Sequence, residues 1–185
     1  MRRGFKTQAE KLALRHRSAF GVEPHEKINP KAFLESIGLV VWKPEDIPGI
    51  SPDSLKQLMQ SDPDAWSGVT VREGPHTAII VNSVHPPTRQ ASTLMHEWAH
   101  IELRHKPSRA DRSVGGLLLL SDYPAEIEEE ADWLAGCILA PREGLLHLCS
   151  RGLKANQVAV HYGISLQMSN WRIGKTGVMR QLGIR

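Results

Sequence analysis

The apolar positions along the chain fall into helical and strand-like patterns. Over residues 124–140 they recur at three- and four-residue steps, which predicts a helix with one buried face. The stretch 88–105 contains neither Gly nor Pro and also suits a helix. Runs rich in β-branched residues predict three short strands, which cover residues 39–42, 66–72 and 76–82.

Turn and capping residues divide the rest of the chain into further helices. Ser, Asn or Pro before an apolar run favours a helix start, and Gly favours a helix end. On this basis we predict helices over 7–20, 30–37, 52–60 and 141–150. Gly74-Pro75 joins the second and third strands as a hairpin. Together these elements predict an α+β fold, in which a small antiparallel or mixed sheet packs beside helices.

The longest connection, residues 106–123, has two interpretations. Gly115-Gly116 favours a break, whereas Leu117–Leu120 indicates a buried segment, so a helix competes with a lid-like loop. Because this connection joins the two long helical stretches, a loop here would be placed to gate a cleft between them.

The composition excludes several classes of protein. With 185 residues, 41 % apolar and 23 % charged, the chain predicts one globular domain with at most a small appendage. No apolar run is long enough to cross a bilayer, and the first residues lack the apolar segment of a signal peptide, so we expect no membrane contact. Cys137 and Cys149 are the two cysteines, which argues against a disulfide scaffold and favours a reduced, cytoplasmic protein.

The segment His96–His100 has the spacing of a metal site. Residues four apart share one face of a helix, so the imidazoles of His96 and His100 can converge on one ion. Glu97 follows the first histidine and would lie beside the ion, within reach of a proton on a bound water. This HExxH pattern is typical of zinc-dependent hydrolases. The alternative is a surface helix that carries histidines without a metal.

A third ligand is expected, because catalytic zinc sites combine three protein ligands with an open position. In the predicted helix over 124–140, Glu128 and Asp132 lie four residues apart beside the buried stripe, where a carboxylate can meet the ion. A ligating histidine usually donates its second ring N–H to an oxygen, and Asp132 is placed in the sequence for that role. The alternative is an acidic first turn that faces solvent and is favoured by the helix dipole.

Two segments, Arg89–His100 and Ile127–Pro141, resemble the ImmA/IrrE family of bacterial and phage metallopeptidases. Members have an HExxH helix followed by a helix that reads roughly E-x-x-A-[ND]-x-F-A and ends in a Pro. This chain has Ala99 where many members have Gly, and Leu134 where Phe is usual. Both differences are packing changes that leave the metal-binding positions in place.

The resemblance implies a zincin-like peptidase with Zn²⁺ held by His96, His100 and Glu128 and with Glu97 as general base. It also implies a protein substrate, often a helix-turn-helix repressor or antitoxin encoded alongside. Such a substrate is cut in response to stress or to control a mobile element.

Substrate binding and transition-state stabilisation need further groups. In zincins a sheet edge beside the metal accepts an extended peptide, and we expect 66–72 or 76–82 to be that edge. An interior strand without a substrate role is the equally open alternative. A donor to the oxyanion is also required, and the candidates by residue type are Tyr123, His105, His147 and His161.

The segment 157–172 predicts a helix-turn-helix within a C-terminal segment, 151–185, that packs on a metallopeptidase domain of residues 1–150. The competing hypothesis is therefore a metal-stabilised DNA-binding module of a mobile element or toxin-antitoxin system. In that hypothesis the second helix enters a major groove with Gln167, Ser169 and Asn170 at the base edges. Against it, Ser169 occupies a position where the motif favours an apolar residue, and the net charge of +3 does not demand nucleic acid.

Overall fold

The helices and strands follow the predicted order. The computed structural model of the chain describes residues 1–61, 63–107, 109–112, 118–121 and 123–184. Within them the helices are α1 (Phe5–Ala19), α2 (Pro30–Ser36), α3 (Pro52–Lys56), α4 (Pro87–Glu102), α5 (Ala125–Leu139), α6 (Arg142–Ser150), α7 (Ala155–Tyr162), α8 (Leu166–Thr176) and α9 (Val178–Gln181). The strands are β1 (Val40–Trp42), β2 (Gly68–Glu73), β3 (His76–Val81), β4 (Arg109–Arg112) and β5 (Leu118–Ser121). The predicted α+β class is confirmed.

Side-chain caps fix several helix ends where the sequence predicts them. The Asn29 side chain accepts a hydrogen bond from the Ala32 N–H at 3.2 Å, and Pro30 follows it at the first helical position of α2. The Ser165 hydroxyl accepts from the Met168 N–H at 3.0 Å and so begins α8. These caps satisfy N–H groups that have no partner inside the helix.

The sheet is mixed, with strand order β1-β3-β2-β5-β4. Strand β1 runs parallel to β3, and the other neighbouring pairs are antiparallel. Side chains alternate between its two faces. Ile79 and Val81 join the main hydrophobic core on the helical side, whereas Val71, Ala78 and Ile80 form a smaller apolar cluster on the other side.

The expectation that β2 or β3 forms an open edge of the sheet is wrong. Strand β3 lies between β1 and β2, and β2 lies between β3 and β5. The pairing of β2 with β5 covers Thr70–Arg72, while β2 pairs with β3 from Gly68 to Glu73. The strand next to α4 is therefore an interior strand, as the alternative interpretation has it.

Within the connection 106–123, the described residues include two strands instead of the predicted helix or lid-like loop. These are β4 and β5, which pair antiparallel from Arg109–Ser121 to Arg112–Leu118. A run of four leucines is too short to distinguish a strand from a helix by periodicity, which is why the sequence did not predict this hairpin. Gly115-Gly116, on which the expected break and the lid-like loop depended, lies outside the described residues.

Helices α4 and α5 form the centre of the core. From α4, Met95, Trp98 and Ala99 are buried, and from α5 the predicted apolar face is buried at positions that include Leu134 and Ile138. This pair of helices carries every metal-ligating residue that the sequence predicts. Their packing therefore determines the geometry of the site.

Two fully buried arginines bind the carboxyl end of α5. Arg17 Nη1 donates to the Ile138 carbonyl at 2.6 Å, and Arg172 Nε donates to the Ala140 carbonyl at 2.9 Å. Carbonyl groups at a helix C-terminus lack partners within the helix, and the helix dipole favours positive charge there. The sequence did not predict these contacts, because charged residues are rarely buried without a specific partner.

The C-terminal helices share the core of the rest of the chain. One cluster of buried residues extends from Phe5 to Val178, and Trp171 of α8 packs edge-on against Trp133 of α5 with 5.2 Å between ring centroids. The predicted boundary near residue 150 is not marked by a break in this cluster, and that division stays a prediction. Among the described helices, none combines the length and apolar character that a membrane span requires.

Candidate functional site

Helices α4 and α5 bring three metal-ligand side chains together. His96 and His100 lie one turn apart on α4, and their Nε2 atoms are 3.0 Å apart. Glu128 in the first turns of α5 faces both rings, with carboxylate oxygens 3.1 Å from His96 Nε2 and 3.6 Å from His100 Nε2. One donor atom from each of the three residues lies within 4.8 Å of the other two.

These spacings fit a single tetrahedral ion. Zinc binds imidazole nitrogen and carboxylate oxygen at roughly 2.0–2.2 Å, so two ligand atoms of a tetrahedral site lie about 3.3 Å apart. The three measured separations of 3.0, 3.1 and 3.6 Å scatter around that value. Two nitrogens and one carboxylate oxygen also form a donor set that catalytic zinc sites use.

The cluster is buried at its base and open on one side. The His100 side chain is 2 % exposed, whereas the His96 side chain is 25 % and the Glu128 side chain 38 % exposed. Catalytic metal sites keep one coordination position free for water or substrate, whereas structural sites are closed by four protein ligands. The gradient of exposure matches the open kind of site.

The two histidines differ in their electrostatic surroundings. Burial, together with the neighbouring His96 and His105, lowers the pKa of His100 to about 3, so this ring is neutral near pH 7. Burial also lowers the pKa of His96, but the hydrogen bond to Asp132 and the carboxylates of Glu97 and Glu128 outweigh it and raise the pKa overall.

Asp132 lies behind His96, in the position that the sequence predicts for a supporting carboxylate. Its Oδ1 is 2.9 Å from His96 Nδ1, while His96 Nε2 faces His100 and Glu128. A proton on Nδ1 leaves the lone pair of Nε2 free for a ligand. This contact orients the imidazole ring and determines which of its nitrogens faces the cluster.

Glu97 lies beside the donor cluster and contacts the sheet. The Thr70 hydroxyl on β2 donates to Glu97 Oε2 at 2.6 Å. Burial raises the pKa of Glu97, although the Thr70 hydrogen bond and the charge of His96 act in the opposite direction. A carboxylate with a raised pKa, next to a metal-ligand cluster but outside it, can accept and return a proton.

Strand β2 approaches α4 closely because Gly68 has no side chain. A Cβ at Gly68 would lie 2.4 Å from Thr93 Cγ2 and 3.7 Å from Glu97 Cγ. Thr70 stands two residues further on, on the same face of β2, and so faces Glu97. Thr70 was not predicted from the sequence, because its contact depends on how the sheet packs on α4 rather than on a local motif.

Of the four candidate oxyanion donors, the structure places two, Tyr123 and His105, against His100. The Tyr123 ring stacks on His100 with 3.8 Å between centroids, and His105 Nδ1 lies 3.1 Å from His100 Nδ1. His105 is therefore behind His100, on the side opposite the cluster. His147 stacks on His25 with 4.4 Å between centroids, and His161 contacts the His25 carbonyl, so these two lie in a separate group.

The pKa of the Tyr123 phenol is raised by burial and by the carboxylates of the site. Burial raises its pKa to about 12, with further contributions from the carboxylates of Glu97 and Glu128, while Arg72 acts in the opposite direction. The phenol is therefore protonated at neutral pH and available as a hydrogen-bond donor.

Two helices joined by a short turn lie where the helix-turn-helix is predicted, and one proposed base-reading residue is inaccessible. Helix α7 ends at Gly163, which has a φ of 68°, and α8 begins after Ser165. Ser169 is fully buried and donates to the Ala155 carbonyl at 2.8 Å, so it cannot face base edges. Gln167 and Asn170 are exposed. Ser169 takes the packing position that an apolar residue usually fills.

Comparison with protein-family models gives a match to a peptidase family. The model described as Peptidase_M78, IrrE N-terminal-like domain, matches residues 57–173, which is more than half of the chain and includes both α4 and α5. No curated protein and no solved structure matches the chain.

Replacing the carboxylate of Glu128 should weaken metal binding. We expect Glu128→Gln to bind Zn²⁺ more weakly, because an anionic ligand becomes a neutral amide. The loss of affinity should exceed the roughly 10–100-fold that is typical when a residue hydrogen-bonded to a metal ligand is removed. Zinc content after dialysis, measured by atomic emission, tests this expectation. Glu126→Gln is the matched control, since Glu126 is exposed on the same helix and outside the cluster. Equal zinc content in the two variants would contradict the assignment of Glu128.

Proposed function

The chain belongs to the Peptidase_M78 family of IrrE N-terminal-like domains, and on that basis we propose that it is a zinc metalloendopeptidase that cleaves a specific protein partner. Membership of a peptidase family supports a metallopeptidase-type function. The observation that carries the proposal is the convergence of His96, His100 and Glu128 on one point, with Glu97 beside them.

The donor set defines what the bound ion would do. Zn²⁺ held by His96, His100 and Glu128 would supply Lewis acidity, which lowers the pKa of a water molecule and polarises the carbonyl of the scissile peptide bond. The neutral His100 and the hydrogen-bonded His96 present nitrogen lone pairs for this purpose. Asp132 keeps the His96 ring in the required orientation.

Glu97 is the general base and then the general acid of the proposed hydrolysis. Its carboxylate takes a proton from the attacking water as the oxygen adds to the carbonyl carbon. It then returns that proton to the nitrogen as the C–N bond breaks and the amine leaves. The Thr70 hydroxyl, 2.6 Å from Oε2, holds the carboxylate in place and counteracts the effect of burial on its pKa.

Tyr123 is the proposed donor to the oxyanion. Of the two candidates that contact His100, Tyr123 stacks its ring on the imidazole, whereas His105 lies at Nδ1, on the side away from the cluster. A protonated phenol whose ring stacks on His100 is proposed to donate a hydrogen bond as negative charge develops on the carbonyl oxygen.

The substrate is a protein, and we propose a helix-turn-helix repressor or antitoxin encoded next to this chain. Family membership supports the protein class, and the resemblance to ImmA/IrrE peptidases supports the narrower choice. The rival is a regulator in which zinc is structural and α8 binds DNA. The buried Ser169 removes one of its three proposed base contacts.

Glu97→Gln should abolish cleavage without removing the metal. The amide cannot accept the proton of the water, so we expect the rate to fall by about 10²–10⁴-fold. Wild type and variant would be co-expressed with the adjacent helix-turn-helix protein, and cleavage followed by immunoblot and mass spectrometry. Glu102→Gln is the control, because Glu102 lies on the same helix but pairs with His16 at 3.0 Å. Undiminished cleavage by Glu97→Gln would contradict the mechanism. If the wild-type protein represses DNA targets and does not cleave the adjacent helix-turn-helix protein, the regulator would be favoured.

Tyr123→Phe should lower kcat while KM and zinc content stay close to wild type. Removal of one oxyanion donor typically reduces kcat by about 10²–10³-fold, and the phenyl ring preserves the stacking on His100. The kinetics would be measured on a peptide that spans the cleavage site. Tyr162→Phe is the control, since the Tyr162 hydroxyl donates to the Pro24 carbonyl at 3.0 Å, away from the cluster. An unchanged kcat in Tyr123→Phe would exclude this role.

A further inference from the structure

The chain turns back on itself directly after α4. Helix α4 ends at Glu102, and Arg104 has a φ of 54°, in the left-handed region. The Arg104 N–H donates to the Ile101 carbonyl at 3.1 Å, and the His105 N–H donates to the His100 carbonyl at 2.9 Å. These are the two hydrogen bonds of a Schellman motif, in which the left-handed position is usually Gly. The motif returns His105 to the last turn of the helix.

Among the described non-glycine residues, Arg104 is the one that has a positive φ, which is a strained conformation. Backbone strain of this kind persists where the surroundings require it, and it is concentrated near functional sites. Here its consequence is the position of the next residue, because His105 is placed against the face of His100 that points away from the donor cluster.

The contact between His105 and His100 joins their Nδ1 atoms at 3.1 Å. Since His100 Nε2 faces His96 and Glu128, a neutral His100 that offers the Nε2 lone pair to a metal must carry its proton on Nδ1. The acceptor for that proton is then the Nδ1 lone pair of His105. A neutral His105 in this arrangement carries its own proton on Nε2.

A buried carboxylate stands behind His105. His105 Nε2 has no hydrogen-bond partner among the described residues and lies 3.8 Å from Glu130 Oε2, and the two side chains are 6 % and 5 % exposed. Arg2 holds Glu130 in turn, with Nη2 at 2.7 Å from Oε2, Nε at 3.0 Å from both oxygens and the backbone N–H at 2.8 Å from Oε1. Arg2 therefore anchors the carboxylate through both of its oxygens.

We propose that His105 is a positioning residue that fixes the Nδ1–H tautomer and the orientation of His100, with Glu130 and Arg2 orienting His105 from behind. The two ligands of α4 are thus supported differently. His96 relies on a single exposed carboxylate, Asp132, whereas His100 relies on the buried His105 and Glu130, and the exposed Arg2 holds Glu130 in place. This inference rests on the proposed metal site.

The tautomer of His105 tests the inference in the unaltered protein. In zinc-loaded wild type labelled with ¹⁵N-histidine, long-range ¹H–¹⁵N correlation spectra should show His105 protonated on Nε2 and unprotonated on Nδ1. They should also show His100 protonated on Nδ1. A His105 protonated on Nδ1 would overturn the proposal, because that nitrogen could not accept a hydrogen bond from His100.

The affinity for Zn²⁺, measured by competition with a chromophoric chelator, provides a second test. His105→Leu lacks the acceptor for the His100 Nδ1 proton and should bind zinc about 10–100-fold more weakly. This is the usual effect of removing a residue that hydrogen-bonds to a metal ligand. His105→Asn should retain most of the affinity, because its side-chain oxygen can replace Nδ1 as acceptor. His76→Leu, at the exposed first residue of β3, controls for loss of a histidine. Urea unfolding of the metal-free variants reports any separate loss of fold stability.

The outcomes separate this inference from the proposed function. Weaker binding in His105→Leu with recovery in His105→Asn supports the positioning role. Wild-type affinity in His105→Leu overturns that role and leaves the metallopeptidase proposal standing. A wild-type protein that binds no zinc overturns both. If His105→Leu does not fold, the tautomer measured in wild type decides the question.

Discussion

The packing of α4 against α5 is the contact on which the rest of the structure depends. The two histidines come from one helix and the carboxylate from the other, so their separations of 3.0–3.6 Å are determined by how the helices dock. The docking is itself fixed by the apolar core and, at the carboxyl end of α5, by the buried Arg17 and Arg172. Two charged side chains are therefore kept in the interior to hold a helix whose opposite end carries a ligand. A shift of that helix along its axis would misplace Glu128 relative to both histidines.

Three polar side chains of the site are each held by a second group that lies outside the cluster of His96, His100 and Glu128. Asp132 supports His96, Thr70 supports Glu97, and His105 lies behind His100. A partly buried cluster with several titratable groups is stable only when such partners satisfy its protons and lone pairs. The partners come from different parts of the chain, which makes the site a product of the whole fold rather than of one motif.

The sequence predicts what depends on local periodicity and fails where tertiary contacts decide. The i, i+4 spacing of His96 and His100 predicted two of the three residues that the structure brings together, and the family resemblance implied Glu128 as the third. The hairpin of β4 and β5 was missed because four leucines have no diagnostic period. Without β5, the sequence could not show that β2 has neighbours on both sides. Thr70 and His105 were not recognised as supporting groups. The first requires the sheet to be placed on α4, and the second requires the left-handed turn at Arg104.

The central claim is that His96, His100 and Glu128 bind one zinc ion. Crystals of the zinc-loaded protein, measured above and below the zinc absorption edge, test it most directly. The account predicts a single anomalous peak at roughly 2.0–2.2 Å from Nε2 of each histidine and from a carboxylate oxygen of Glu128. An anomalous map without a peak at this point, or with a zinc ion bound by other residues, would contradict this claim.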